Sequence, residues 1–478
     1  MAHRNAFAAA FVRASRTAHI GSQVNPKKYQ YGFLNKVFQK PVDLTPTLPC
    51  NFTRDANNVI QHDMDFSQYT GGTVLYVNLD TGNDTSGNGS SEKPYKTLGK
   101  AVIFASTGVD SSYCIKVKSD SIFMRDESLG SGTTITNKIL SIVPDNASNK
   151  IFISSGQRSL SYIDAGSGTW QTTRSVTYAV YDMRVLDANG LPIPLTAKNT
   201  LADCQANINT WYTNGSLVYV HTVDGLIPNA NVIVCITQQQ MIKLLGTSKL
   251  YLKNCTYLGG SASDGASIIG DTTGATVVGE FCADNCNFIG GNMLFNTPGA
   301  VGNALAVGQI KKTYLFNCKA AYAKRDGFNY HFNNVPDINK RDCLVIEYNC
   351  ESYNNGLISD MENNNATTCH DSVNILRFRG NYSTSKGPVV IDVNGCYSVL
   401  VDCNAKDSVM TGGGVAYNFG NGDAPAGITG KVIMYNCSNN GETLNSKQFY
   451  AEPPIPATLY ASNLPNLVFG SSVPTIIP

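Results

Sequence analysis

The 478-residue chain is poor in charge: Asp, Glu, Lys and Arg make up 15% of it and the net charge is +1. An average soluble domain carries roughly 25%. This balance provides no basic field for a nucleic-acid backbone and no acidic field for a cationic polymer. Long apolar runs are also missing. The N-terminal stretch "MAHRNAFAAAFVRASR" holds only a short run from Ala6 to Val12, flanked by arginines. That run is too short to span a bilayer, and no small-residue cleavage site follows it, so it reads as an amphipathic segment of the mature protein and not as a secretory signal. Long helical periodicities are scarce. There are 2 tryptophans and 6 histidines.

Turn chemistry and cysteine are present in their place. Gly contributes 43 residues and Cys 14, in a background rich in Asn, Ser and Thr. In a small secreted chain so many cysteines would indicate disulfides. Here they follow a period. Asn254-Cys255, Asn285-Cys286, Asn317-Cys318 and Asn349-Cys350 are spaced by 31, 32 and 32 residues, Asp402-Cys403 and Asn436-Cys437 continue the series, and Gly380-Asn381 stands where the missing pair is expected. A period of this length is the mark of a solenoid. The position three before each marker reads Leu252, Ala283, Leu315, Glu347, Phe378, Leu400 and Met434, apolar in all but Glu347. Short alternating strands therefore flank each pair, with Cys pointing inward as a reduced packing residue and Asn at a corner, bonding to its counterpart one rung away. Stacked coils of this kind form a right-handed parallel β-helix of about a dozen coils, all-β in class. No metal is expected: Cys282-x-x-x-Cys286 has no second ligand pair, and Cys369 and His370 are adjacent. No cofactor is expected either.

The segment "YVNLDTGNDTSGNGSSEKPYKTLGKAV" (76–102) resembles the opening of the pectate-lyase-like right-handed β-helix superfamily, in which a strand, a Gly/Asn/Asp turn and a Pro-containing segment lead into a capping helix, here from about Lys96-Thr97 to Phe104. "WYTNGSLVYVHTVDGLIPN" (211–229), "KRDGFNYHF" (324–332) and "NNNATTCHDSVNILRFRGNY" (363–382) are similar to segments of phage tailspikes of that superfamily. The resemblance implies a homotrimeric tailspike or tail fibre, made in the host cytoplasm and located in the virion tail. Residues 1–50 would anchor it to phage tail or baseplate proteins, residues 51–72 would link, residues 73–450 would form the β-helix with a hairpin-rich insertion at about 150–230, and a Pro-rich segment, 451–478, would follow. Its partner would be host surface polysaccharide, bound and depolymerised by glycoside hydrolysis; the alternative is a non-enzymatic adhesive fibre. Neither nucleic acid nor membrane insertion is expected. A cellular polysaccharide-degrading enzyme, the third reading, would usually carry a secretion signal. The calcium-binding carboxylates and catalytic Arg of a pectate lyase cannot be placed, so lyase chemistry is not carried over. Thiols near the virion end, Cys50 above all, are those for which an intersubunit disulfide is considered.

Three acids recur: Asp326, Asp360 and Asp392 lie 8, 10 and 11 residues past their markers. If each begins the same strand of successive coils, neighbours stand about 4.8 Å apart and the outer two about 10 Å, distances that suit the carboxylate pairs of glycosidases. Asp360 would act as general acid with Asp326 or Asp392 as base or nucleophile, and Glu362 is a further candidate acid. Alternation would put Phe328, Glu362 and Asn394 on the same face. His331 and His370 come from two of these coils, with Asp371 able to orient His370. Trp170 and Trp211 lie in the hairpin-rich region, and Trp211 is a candidate for stacking on sugar. The competing reading makes the acids solvated turn residues, the histidines hydrogen-bonded loop residues and the tryptophans core.

Overall fold

A computed structural model describes residues 46–477 apart from 130–131, 175–176, 236–239, 261–262, 272–276, 295–301, 336, 359–362, 411–413, 440–446, 453 and 461–474. Most of the expected anchor, along with Asp360 and Glu362, therefore lies outside the described residues.

Successive coils contribute strands to three long parallel sheets of twelve, nine and eight strands, together a right-handed parallel β-helix. One coil runs from Ile310–Phe316 in the twelve-stranded sheet, round the Asn317-Cys318 corner to Lys319–Ala321 in the eight-stranded sheet, then to Phe328–His331 in the nine-stranded sheet. The next coil stacks Leu344–Tyr348 directly on the first of these. Asn suits the corner because its backbone there is left-handed: Asn254, Asn285, Asn317, Asn349 and Asn436 have φ between 49° and 53°. The side chains form the ladder, Asn285 Nδ2 donating to Asn254 Oδ1 at 2.8 Å and Asn349 Nδ2 to Asn317 Oδ1 at 2.9 Å. Cys255, Cys286, Cys318 and Cys350 stack inside with no exposed surface, all as free thiols.

The degenerate coil departs from expectation by one residue. Tyr348 pairs with Phe378, so Arg379 (φ 55°) and Gly380 occupy the corner, not Gly380 and Asn381. Gly380 replaces the thiol because the Tyr382 ring fills that space: a Cβ on Gly380 would lie 2.3 Å from it. The shift turns Phe378 outward and brings Arg377 into the inward column between Glu347 and Leu400. There it is fully buried, paired through Nη1 and Nη2 with Asp392 at 2.7 and 2.9 Å, with Nε 3.5 Å from Glu347. Thr367 and Tyr382 donate to Glu347, and Ser398 to Asp392.

The helix Leu98–Thr107 closes the first coil with Leu98, Ala101, Val102 and Ala105 buried, and Thr97 caps it by accepting the Lys100 N–H. Residues 51–72, expected as a linker, are a packed strap. The hairpin Phe52–Arg54/Ile60–His62 and the turn Phe66–Tyr69 cross the outer face of the twelve-stranded sheet, from the coil of Asp402 back to that of Glu280. Phe52 stacks on Phe378 at 4.2 Å, Phe66 and Tyr69 stack on Tyr251, and the Tyr348 hydroxyl donates to the Ile60 carbonyl. Within the Asn series, the two described corners held by other residues lie against or beside this strap. Asp402 receives Arg54 at 2.8 Å while still accepting from Asn436, and Arg379 reaches the Tyr348 hydroxyl.

Two sheets between Gly156–Gln157 and Val232–Cys235 form the insertion, one antiparallel and the other antiparallel except where Thr196–Ala197 runs parallel to Thr210–Thr213. It docks on the eight-stranded sheet through Tyr181, whose hydroxyl donates to the Gly259 carbonyl, and through Asp187, which accepts from Tyr322 and Tyr353. Among the described residues no helix is long and apolar enough to cross a membrane.

Candidate saccharide-binding face

Parallel pairing aligns Tyr330, Cys369, Asp392, Phe419 and Ala451 in one column of the nine-stranded sheet, all buried and facing the interior. The next residue of each strand faces outward: His331, His370, Val393, Gly420 and Glu452. One step before the inward column stand Asn329, Thr368, Ile391, Asn418 and Tyr450. Two outward columns therefore run along the coil axis.

At their C-terminal half is a shallow depression of about 390 Å³, lined by His370, Val393, Asn394, Asn418, Gly420, Gly422, Asp423, Tyr450 and Glu452. Gly420 opens its floor, since a Cβ there would come within 3.3 Å of Glu452 Oε2. That oxygen accepts the Asn421 N–H at 2.9 Å, which orients the carboxylate. Asn394 (φ 59°) turns the chain at the rim. His331 and His370 stack with ring centroids 4.1 Å apart and planes 14° apart. Burial, then the neighbouring His331, pushes the His370 imidazole down to about 3, against the opposing pull of Asp371; burial likewise lowers His331. The Asp371 carboxylate is already engaged by the Phe332 N–H at 2.8 Å.

The His370 shift has a consequence for stability. An unfolded His takes a proton near pH 6.5 that folded His370 refuses until about pH 3, so the folded state loses ground as pH falls through that window. The melting temperature of the parent should drop relative to a His370→Asn variant between pH 7 and 4. The opposite contribution of Asp264, which burial raises to about 6, cancels in the difference. A constant difference across that range would contradict the shift.

The structure brings together only part of what the sequence suggested. His331 and His370 meet, and Asn394 joins the depression. Phe328 is fully buried in the core, and Trp211 is sealed within the insertion, its Nε1 donating to the Leu195 carbonyl. Asp392 is interior, bound to Arg377. Asp326 is buried at the corner before its strand, accepting from Asn365 and Asn329, and burial raises its carboxyl. The expected common register of the acids is corrected as well. Phe328, Thr367 and Val390 share a column, which places Asp326 two residues before it and Asp392 two after, a separation of about 13 Å along the strand direction.

Tyr450, Glu452, Asp423 and Asn418 were missed. The alternation in "FYAE" (449–452) carries the signal for two of them, but counting from the corner does not find it. The distance from corner residue to outward column is 13, 20, 13, 17 and 15 residues in successive coils from Cys318 to Cys437, because the intervening loops vary.

Among the described residues no three His, Cys, Asp or Glu side chains gather as a metal site. The strand order, the stacked corners and the capping helix decide the architecture. The fold is a right-handed parallel β-helix. No family model matches the chain, and no curated protein does. Similar solved structures include XylC in complex with xylose (10% identity, TM-score 0.43, covering 82% of this chain and 65% of that one, so slightly under two thirds of its length). Pectate lyase Pel9A has 13% identity and a TM-score of 0.37, with 80% of each chain covered. The tailspike of Pseudomonas phage LKA1 has 13% identity and a TM-score of 0.27, covering 80% of this chain and 74% of that one.

Proposed function

We propose that this β-helix is a tailspike-type receptor-binding protein that holds host surface polysaccharide across the outer face of its nine-stranded sheet. The observation that carries the reading is the depression at Tyr450. One aromatic ring, two amides (Asn394, Asn418), a neutral imidazole and two carboxylates converge on an open groove, the mixture of apolar face and directed polar groups that a sugar ring requires. Assembly as a homotrimer, attachment to tail or baseplate proteins through residues 1–50 and a place in the virion tail belong to the same proposal.

Depolymerisation is its enzymatic extension. Asp423 and Glu452 line the same depression, so one can protonate a glycosidic oxygen while the other serves as base or nucleophile. Asp360 and Glu362, which lie in sequence between two strands of this region, remain further candidate acids. Asp326 and Asp392 are assigned to structure by their buried partners.

The test is retention of host capsule or lipopolysaccharide by the purified protein, followed by a reducing-end assay. Tyr450→Ala should weaken binding roughly tenfold or more, and Glu452→Gln should remove any hydrolysis while leaving binding. Binding unchanged in Tyr450→Ala places the site elsewhere. Binding without any reducing ends supports the adhesive fibre.

A further inference from the structure

The charge of the depression goes further than the presence of a saccharide site. Of the nine residues that line it, Asp423 and Glu452 are acids and none is Lys or Arg. His370 adds no positive charge, because burial and the stacked His331 keep it neutral far below neutral pH. Arg341 is not among the lining residues, and its Nη2 donates to the Gly395 and Thr429 carbonyls at 2.9 and 3.0 Å. The remaining polar groups are the Asn394 and Asn418 amides and the Tyr450 phenol, which offer hydrogen bonds without charge.

Resting on the saccharide-binding reading, we infer that the site selects glycans without anionic groups: polysaccharides of neutral or N-acetylated sugars, and not polymers bearing uronate, sialate, phosphate or sulfate at the bound unit. The physical reason is repulsion together with the want of a partner. A carboxylate on the bound sugar would face Asp423 and Glu452 across a few ångströms and would lose hydration with no cation among the nine lining residues to replace it, and such like-charge juxtapositions discriminate strongly. Neutral hydroxyls, by contrast, donate well to carboxylates, and the amide N–H groups can donate to ring and hydroxyl oxygens. The chain as a whole does not oppose this selection, since its net charge of +1 creates no long-range attraction for polyanions.

The experiment measures binding of the full chain to purified polysaccharides in two sets, neutral (galactomannan, and a neutral O-antigen from a susceptible host) and acidic (polygalacturonate and hyaluronate), at low and moderate salt. The parent is compared with Tyr450→Ala and with an Asp423→Asn/Glu452→Gln double variant whose fold is checked by circular dichroism. At least one neutral polymer should bind, sensitive to Tyr450→Ala, and acidic polymers should bind weaker by roughly tenfold or more. Removing the two charges should narrow that gap. An acidic polymer that binds the parent as tightly as a neutral one, with the binding lost in Tyr450→Ala, overturns the inference while leaving the saccharide site intact. Binding that ignores Tyr450→Ala, or no binding to any polymer, overturns both.

Discussion

Arg377→Met is expected to destabilise the protein by about 3–5 kcal/mol, the usual cost of stripping a buried ion pair of one partner. Arg377 has no exposed surface, and its guanidinium lies against two buried carboxylates, Asp392 at 2.7 Å and Glu347 at 3.5 Å. Burial works against its charge, but Asp392 and then Glu347 outweigh this and hold it well above the ordinary arginine range. Methionine fills most of the volume and supplies none of the charge. Asp392 would then keep only the Ser398 hydroxyl among these partners, and Glu347 only Thr367 and Tyr382. Adding Glu347→Gln and Asp392→Asn to Arg377→Met should recover much of the loss, because removing a whole buried ionic cluster costs far less than orphaning part of it. Thermal or denaturant unfolding of the single and triple variants decides the matter. A single variant as stable as the parent would show that the cluster carries no net charge coupling.

Phe52→Ala should release the strap without unfolding the coils. Phe52 is 2% exposed and stacks on Phe378 at 4.2 Å, in an aromatic cluster with Tyr348. Truncating a buried Phe costs about 3 kcal/mol or more, a roughly hundredfold rise in the open population. The strap is a two-strand hairpin laid on a sheet already complete by itself, so the loss falls on local opening and not on the cooperative melting of the solenoid. Hydrogen exchange and limited proteolysis should show residues 46–72 opening first, with Arg54→Ala giving a milder version through the loss of Asp402. Full protection of 46–72 in Phe52→Ala would mean that Phe66 and Tyr69 hold the strap alone. Coils and strap melting together would show that the strap is integral to the solenoid.

The fold was legible because its causes are local and repeated. A left-handed corner favours Asn, a tight inner column favours Cys, and both recur at nearly constant spacing, so the parallel β-helix and its inward thiols follow from Asn254-Cys255 to Asn349-Cys350. The Glu347 anomaly in the apolar column was legible too. Its meaning was not, because the partner Arg377 enters the column only after a one-residue slip at Arg379-Gly380, and that slip is set by the Tyr382 ring occupying the thiol's place.

The candidate site was less accessible for a related reason. Backbone hydrogen bonds between rungs align strands whatever the length of the loops between them, so Glu452, Gly420, Val393 and His370 stand side by side although their sequence offsets from the corner differ. Counting residues put Asp326 and Asp392 in one row; pairing separates them along the strand and turns Asp392 inward. The sequence by itself determined the coil, its corner chemistry and the identity of His331 and His370 as members of adjacent rungs. Which acids reach the surface, which are locked inside, and that residues 51–72 lie as a strap over Phe378 and Tyr348 were decided only by tertiary structure, since facing and contact between coils depend on the summed lengths of loops that no local pattern constrains.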